Sequence, residues 1–285
     1  MKFLRKEIPL QSVIFITDKC NLSCRHCAVY NLENPIMKSY SQIKQELEYS
    51  YKKGARFVDF EGGEPTLWQE DGKDINSLVS LAKEIGFFST TITTNAQNPF
   101  EQLQADSLWI SLDGVGKYHN QIRGEGTFEK LDKNISLSLH KALSVNMVIN
   151  SLNYPSIEET LEYVKQNPHI KKISFNFHTP FSGTEYLQID KEKRINAINT
   201  IIKYKKQGYP IMNSISGLKL MKENNFKKRC WIANFILVDG TRLKECTGKT
   251  YGVCDNCGFG MASEMHSVFN LRIDTIIAGL KLRIG

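Results

Sequence analysis

The seven cysteines of this chain fall into two groups, Cys20, Cys24 and Cys27 near the start and Cys230, Cys246, Cys254 and Cys257 near the end. Thiolates at such spacings ligate metal. Three of them hold three irons of a [4Fe–4S] cluster and leave the fourth iron open to a substrate or cofactor atom. The spacing alone also fits a three-cysteine zinc site, although structural zinc takes a fourth protein ligand. In the second group, Cys230 precedes the run Trp231-Ile-Ala-Asn-Phe-Ile-Leu-Val238, and Asp239-Gly240 turns the chain back through Thr241 to Cys246. Asp-Gly between two such runs is a hairpin signal, so Cys230 and Cys246 should meet, with Cys254-Asp-Asn-Cys257 adding two more ligands. Four thiolates close the coordination sphere of either an auxiliary [4Fe–4S] cluster or a zinc ion. A closed cluster has no open iron for substrate, which leaves it an electron relay or a structural staple.

The first group follows the apolar run Val13-Ile14-Phe15-Ile16, so its thiolates should sit on a loop leaving a buried strand. A second such run, Arg56-Phe-Val-Asp-Phe60, leads into Glu61-Gly62-Gly63-Glu64-Pro65. The two glycines should turn with positive φ and approach a ligand closely, Pro65 should stiffen the exit, and Glu64 supplies an acceptor. Read by itself the segment is also an ordinary turn.

Together the two stretches carry a family resemblance. Cys20-Asn-Leu-Ser-Cys24-Arg-His26-Cys27 resembles the signature loop of the radical S-adenosylmethionine (radical SAM) enzymes, and Gly62-Gly63-Glu64-Pro65 is similar to that family's Gly-Gly-Glu-Pro motif. The resemblance implies that SAM chelates the open iron and is cleaved reductively to a 5′-deoxyadenosyl radical. It implies that Gly62, Gly63 and Glu64 bind the methionine amino group. The family carries an aromatic beside the adenine before its third cysteine, a position held here by His26. Ser111-Leu-Asp113-Gly114, followed by His119 and Arg123-Gly124, is similar to a segment of relatives with an extra C-terminal cluster, which implies that Ser111 and Arg123 contact SAM. An arginine can clamp a carboxylate with two hydrogen bonds. Asp113-Gly114 also reads as a turn and Arg123 as a solvated charge. Asn150 and Thr94-Asn95 line the cavity or cap strand ends, and His178 handles a substrate proton or is a satisfied structural histidine. The second cysteine group resembles the abbreviated twitch form of the SPASM extension, which implies a second [4Fe–4S] cluster rather than zinc.

To position these residues, strands are expected at 12–17, 56–61, 88–94, 107–112, 144–150 and 170–178. Helices are expected between most of them, at 40–53, 74–85, 128–141, 156–166 and 190–207. Alternation of this kind predicts an α/β fold, a partial (β/α)6 TIM-like barrel, with its chemistry at the strand ends. The expected organisation is a barrel domain over 1–229, a cysteine-rich β-hairpin extension over 230–262, and a terminal amphipathic helix over 263–285. In the tail, Phe269, Ile273, Ile276, Ile277, Leu280 and Ile284 follow helical spacing with Arg272, Lys281 and Arg283 around them. Such a helix packs against the barrel, or lies on a membrane as a peripheral contact.

At 285 residues and 41% hydrophobic the chain can bury a barrel-sized core. The opening Met-Lys-Phe-Leu-Arg-Lys-Glu is too short and too charged for a signal peptide, and no stretch reaches the roughly 18 apolar residues of a membrane span. The expected location is the cytoplasm, where cysteines stay reduced and free for metal. The formal charge of +7 falls to about +4 once thiolates on two oxidised clusters are counted. With no RNA-binding motif, that excess does not point to nucleic acid. Basic runs such as Lys203-Tyr-Lys205-Lys206 and Lys227-Lys228-Arg229 are solvated faces or dock an acidic flavodoxin or ferredoxin donor. The functional expectation is hydrogen abstraction from a peptide or small-molecule substrate. The alternatives are adenosyl transfer to a lipid-like substrate, or a non-catalytic Fe–S or zinc module.

Overall fold

The computed structural model describes residues 7–27 and 34–283. Most of the charged opening segment and Ile284 of the tail lie outside the described residues. Six strands alternate with helices in β1 (Gln11–Thr17), α1 (Tyr40–Lys53), β2 (Phe57–Gly62), α2 (Ile75–Ile85), β3 (Ser89–Thr94) and β4 (Ser107–Ser111). The chain continues through α3 (Lys117–Arg123), α4 (Thr127–Leu137), β5 (Leu143–Ile149), α5 (Ile157–Gln166), β6 (Lys172–Phe177) and α6 (Lys191–Lys206). The six strands are all parallel and lie side by side in sequence order, which is the expected partial barrel.

Side-chain alternation in the strands divides the sheet into two faces. One face buries Ile14, Ile16, Val58, Phe60, Ile92, Leu108 and Ile110 under the helices. The other carries the half-buried Asp59, Glu61, Thr93, Ser111, Asn146 and Asn176 along the open side. Helix boundaries follow local chemistry. A capping box between Ser39 and Gln42 starts α1, and Gly54 at φ +117° ends it. Asp74 and Asp190 cap α2 and α6 through their side chains.

Several expectations change. The helix expected over 128–141 ends at Leu137, because Ser138 Oγ and His140 Nδ1 accept the backbone N–H groups of His140 and Ala142 in place of helix carbonyls. The short α3, between Gly116 and Gly124, falls where no helix is expected. The hairpin forms, with β7 (Ala233–Ile236) and β8 (Arg242–Leu243) antiparallel around Gly240 at φ +87°. Before it comes α7 (Ile215–Glu223), and after it α8 (Thr247–Thr250). The hairpin does not stand apart from the barrel. β7 pairs in parallel with the free edge of β1, Gln11 opposite Ala233 and Ile14 opposite Ile236, and extends the sheet to eight strands. Covering an exposed strand edge in this way satisfies its backbone groups. Further on, the Gly258 carbonyl accepts from Phe177 N at 2.9 Å, and Gly260 N donates to Asn176 Oδ1 at 2.7 Å. The cysteine-rich segment therefore touches both edges of the open barrel, β1 and β6. The tail is not one helix but two, α9 (Gly260–Phe269) and α10 (Ile273–Arg283), separated where Leu271 takes φ +56°. Phe269 consequently belongs to a different helix from Ile273 and Leu280.

Candidate active site

The loop after β1, the end of β2, the end of β3, the end of β4 and α3 meet around one cavity of about 160 Å³. Its walls include Cys20, Cys24, His26 and Cys27, the run Glu61–Glu64, Thr93–Asn95, Ser111 and Arg123. Tertiary structure thus joins the cysteine loop to the Gly-Gly-Glu segment. Gly63 N donates to the Thr17 carbonyl at 2.7 Å, and Glu64 N to the Lys19 carbonyl at 2.8 Å. The two glycines are explained differently from the expectation, because neither has positive φ. A Cβ on Gly62 would lie 2.3 Å from the Thr17 carbonyl oxygen, and one on Gly63 2.4 Å from that of Lys19. Their bare backbone lets the strand end pack flush against the root of the cysteine loop.

Glu64 is fully buried, and its carboxylate already accepts four hydrogen bonds. They come from Thr66 N (3.1 Å), Thr66 Oγ1 (2.7 Å), Thr94 Oγ1 (2.7 Å) and Asn95 N (2.8 Å). Burial pushes its pKa up, and these donors work against that rise. Glu64 thereby ties the end of β2 to the end of β3 and presents Asn95, whose Nδ2 donates to Asn21 Oδ1 at 2.7 Å and lies 3.8 Å from Cys20 Sγ.

Opposite, Asp113 organises the other wall. It is fully buried on the loop after β4. Its Oδ2 accepts from Arg123 Nε at 2.7 Å and lies 3.4 Å from His26 Nε2, while Oδ1 accepts from Val148 N at 2.9 Å. Arg123 Nη1 in turn reaches Cys24 Sγ at 3.9 Å. Burial alone would raise the Asp113 pKa, but the Arg123 guanidinium, with His26 and His119, holds it below the usual range. Burial lowers His26 to about 4 and His119 to about 3, so both rings are neutral at ordinary pH. His119 Nδ1 accepts the backbone N–H of Asp113 at 3.1 Å. The Nδ1 of His26 is buried without a hydrogen-bond partner on the protein. Cys20 and Cys24 are pushed up by burial, with Arg123 pulling both back toward thiolate.

On the floor of the cavity, Glu61 is raised to about 7 by burial, against hydrogen bonds from Asp59 and Thr93. Thr93 Oγ1 also donates to Asp59 Oδ1 at 3.3 Å.

Ser111 and Arg123 lie on the cavity wall. Two expected residues do not. Asn150 caps the end of β5, its Oδ1 accepting from Leu152 N at 2.9 Å and its N–H donating to Asn153 Oδ1 at 2.7 Å. The Nε2 of His178 is engaged with the Thr184 carbonyl (2.9 Å) and hydroxyl (3.1 Å). Asp113 and Glu61 were not foreseen. Asp113-Gly114 carries only a turn signal in the sequence, and it is α3 that brings His119 and Arg123 to Asp113, while nothing before Gly62 marks Glu61 as facing the cavity.

In the second group all four thiols are free and influence one another electrostatically. Cys230 Sγ donates to Cys246 Sγ, which lowers Cys246 to about 6 and raises Cys230. The hairpin thus brings this pair together as expected. Among the described residues no group of three or more potential ligands is drawn up in metal-binding geometry.

A partial parallel barrel whose strand ends gather a three-cysteine loop, a flush glycine pair and a buried carboxylate–arginine pair is the frame of a cluster-dependent barrel enzyme. The profile of the Radical SAM superfamily matches residues 14–164. The chain belongs to the radical SAM superfamily of enzymes. Among curated relatives, a probable GTP 3′,8-cyclase from Methanosarcina mazei is 30% identical over 168 residues, 53% of this chain and 49% of its own length. Fe-coproporphyrin III synthase from Methanosarcina barkeri is 24% identical over 249 residues, 73% of this chain and 58% of that protein. The chain spans about half the length of the cyclases it matches. Among solved structures, SuiB from Streptococcus suis bound to S-adenosylmethionine superposes with a TM-score of 0.68 at 20% identity, over 85% of this chain and 61% of that one. The enzyme anSMEcpe with bound AdoMet gives 0.65 at 17% identity, over 97% and 84%. These two likenesses establish the shared fold. The residues present also fit the superfamily's cluster and SAM: three thiols share one cavity wall with Arg123, and the buried His26 Nδ1 on that wall lacks a protein partner.

Proposed function

We propose that Cys20, Cys24 and Cys27 hold a [4Fe–4S] cluster with SAM bound beside it, and that the chain abstracts a hydrogen atom from a peptide or small-molecule substrate. When bound, the cluster and SAM supply reductive cleavage to a 5′-deoxyadenosyl radical. The observation that carries this reading is the convergence of the three thiols, Glu61–Glu64, Thr93–Asn95, Ser111 and Arg123 on one cavity at the strand ends. Arg123, held by Asp113, would clamp the SAM carboxylate with Ser111 beside it. Backbone carbonyls near Gly62 and Gly63 would receive the ammonium, since the Glu64 carboxylate is already committed to Thr66, Thr94 and Asn95. His26 would offer its unpartnered Nδ1 to the nucleoside.

The substrate would enter from the open side of the barrel, where Asp59, Glu61, Asn146 and Asn176 make a polar lumen. A peptide is supported by the neighbour SuiB, whose structure bound to precursor peptide SuiA has the same fold at a TM-score of 0.65. Names among the curated relatives point to nucleotide and porphyrin substrates instead. The second cysteine group is read as an auxiliary cluster that relays an electron, with a flavodoxin or ferredoxin as donor in a reducing, cytoplasmic setting.

Anaerobic reconstitution followed by iron, sulfide and zinc analysis, then incubation with dithionite and SAM, tests the two metal sites and the SAM chemistry. Two clusters predict about eight irons per chain. Release of 5′-deoxyadenosine that disappears in Cys24→Ala is the expected result. About four irons with one zinc would make the second site a staple. An adenosylated product without free nucleoside would mean group transfer, and no SAM cleavage under any condition would overturn the reading.

A further inference from the structure

Arg194, on α6, reaches across to the second cysteine group. Its Nη2 donates to the Cys257 carbonyl at 3.1 Å and its Nε to the Met221 carbonyl at 2.8 Å, while the guanidinium lies 4.7 Å from the centre of the Phe177 ring at the end of β6. The side chain is half-buried, and among the described residues no carboxylate pairs with it. Burial pulls its pKa down from the usual value, and Cys257 is the charged group that acts against that fall. A guanidinium nevertheless keeps its proton at any working pH, so the charge is permanent. Carbonyls and an aromatic face supply only partial negative charge. A cation taken out of water without an anion is costly, and the thiolates of the second group are the nearby source of full negative charge.

A second cation faces the same loop. Lys228, half-buried two residues before Cys230, acts on both Cys254 and Cys257, with its Nζ 3.3 Å from the Asn224 carbonyl and 4.9 Å from the centre of the Phe226 ring. It too has no carboxylate partner among the described residues. Lys249 also faces Cys254 but is ion-paired with Glu245, and Asp255 is the acid that opposes these charges at Cys254. The Cys254–Cys257 loop therefore lies in a field of two uncompensated cations against one carboxylate. Such a field does not choose the metal, because four thiolates give a zinc ion and an oxidised cluster about the same net charge, near −2. It acts on a redox couple. Adding one electron takes a four-thiolate cluster from about −2 to about −3, and fixed cations favour the more negative state. A unit charge acting across roughly 10 Å at an effective dielectric near 20 shifts such an equilibrium roughly tenfold.

On the reading that Cys230, Cys246, Cys254 and Cys257 hold a [4Fe–4S] cluster, we infer that Arg194 and Lys228 are its counter-charges and raise its reduction potential, Arg194 from α6 and Lys228 from the segment before Cys230. Neither ligates the cluster. The step they bias is the addition of one electron, supplied by the iron–sulfur or flavin donor or by dithionite in the assay, with no proton taken up and no bond made or broken.

The test is an EPR-monitored redox titration of the reconstituted full chain with and without SAM, which perturbs the signal of the first cluster and not that of a fully ligated one. In Arg194→Met the ratio of reduced to oxidised second cluster at a fixed potential should fall about tenfold, a shift of about 59 mV for one electron, with the first cluster unmoved. Lys228→Met should shift the second cluster in the same direction. Arg194→Lys keeps the charge without both hydrogen bonds and should keep most of the potential. Loss of iron from the second site in Arg194→Met but not in Arg194→Lys also supports the inference, since charge is then what holds the anionic centre. A second cluster whose midpoint is unmoved in both methionine variants overturns it. So do equal shifts or equal iron loss in Arg194→Lys and Arg194→Met, or equal shifts at both clusters. Zinc at the second site of the parent, seen by metal analysis before any titration, overturns the cluster reading itself, whereas about eight irons with unmoved midpoints overturns the counter-charges alone.

Discussion

Removing the charge of Asp113 while keeping its shape, in Asp113→Asn, should loosen the cavity wall more than any exposed substitution. The carboxylate is fully buried and bonded to Arg123 at 2.7 Å and to Val148 N at 2.9 Å. An asparagine oxygen can still accept from Val148, so the loss concentrates on Arg123, whose guanidinium is 9% exposed and whose remaining sulfur contact is the longer one to Cys24 at 3.9 Å. Deleting one partner of a buried ion pair costs about 3–5 kcal/mol, and the retained amide contact puts Asn near about 3 and Ala near about 5. At about 2–4 °C per kcal/mol for a chain of this size, Asp113→Asn should melt roughly 6–12 °C lower. Denaturant titration of the anaerobic protein measures the free energy, and a cycle with Arg123→Met isolates the pair, with a coupling above about 1 kcal/mol expected. Because Asp113 also aims Arg123, the variant should raise the KM for SAM more than it lowers kcat, and should weaken the SAM-induced change in the EPR signal of the reduced cluster. An Asp113→Asn protein within about 1 kcal/mol of the parent, or one additive with Arg123→Met, refutes the argument.

Acid should destabilise the fold through His119. Its folded pKa of about 3 lies below the unfolded value near 6.5, so the unfolded state binds the extra proton and stability is lost as pH falls below about 6.5. Between pH 6.5 and 5 that amounts to about 2 kcal/mol, a slope that His119→Gln should flatten in urea titrations across this range. Gly63→Ala should disturb the cysteine loop, because its Cβ would lie 2.4 Å from the Lys19 carbonyl oxygen. A loss of about 1–3 kcal/mol together with reduced iron at the first site is expected, and normal iron loading would contradict the packing account. Replacing Cys254 and Cys257 by serine should remove about four irons per chain and leave SAM binding intact, whereas loss of zinc with no loss of iron would exclude the relay.

Much of the barrel was legible because its signals are local. Short β-branched and apolar runs, such as Val13-Ile14-Phe15-Ile16, alternate with helices bounded by caps such as Ser39 and Asp74, and parallel strands joined by helices pack in one handedness. The three thiols of the first loop were legible for the same reason, since ligand spacing is written within eight residues. Local signals misled where the outcome depended on partners far along the chain. Asn150 and His178 have the chemistry of site residues, and Leu152, Asn153 and Thr184, far from the cysteine loop, hold Asn150 Oδ1, its backbone N–H and His178 Nε2. The tail reads as one amphipathic helix, and only the contact of the buried Thr275 with Ser214 decides which side of α10 faces inward.

What the sequence determined by itself, then, is the set of elements and the motif that places the chain near its chemistry. Side-chain periodicity and cysteine spacing are properties of a few neighbouring residues and survive without a fold. Tertiary structure alone decided the pairing of β7 with β1, the role of the glycines as a seat for the cysteine loop, and the choice of Asp113 as the anchor of Arg123 and His26. Each of these joins groups from separate segments, and burial is what gives them their strength. In a low-dielectric interior an unpaired carboxylate or an ill-fitting Cβ is expensive, so the arrangement that satisfies them all at once is the one the chain adopts.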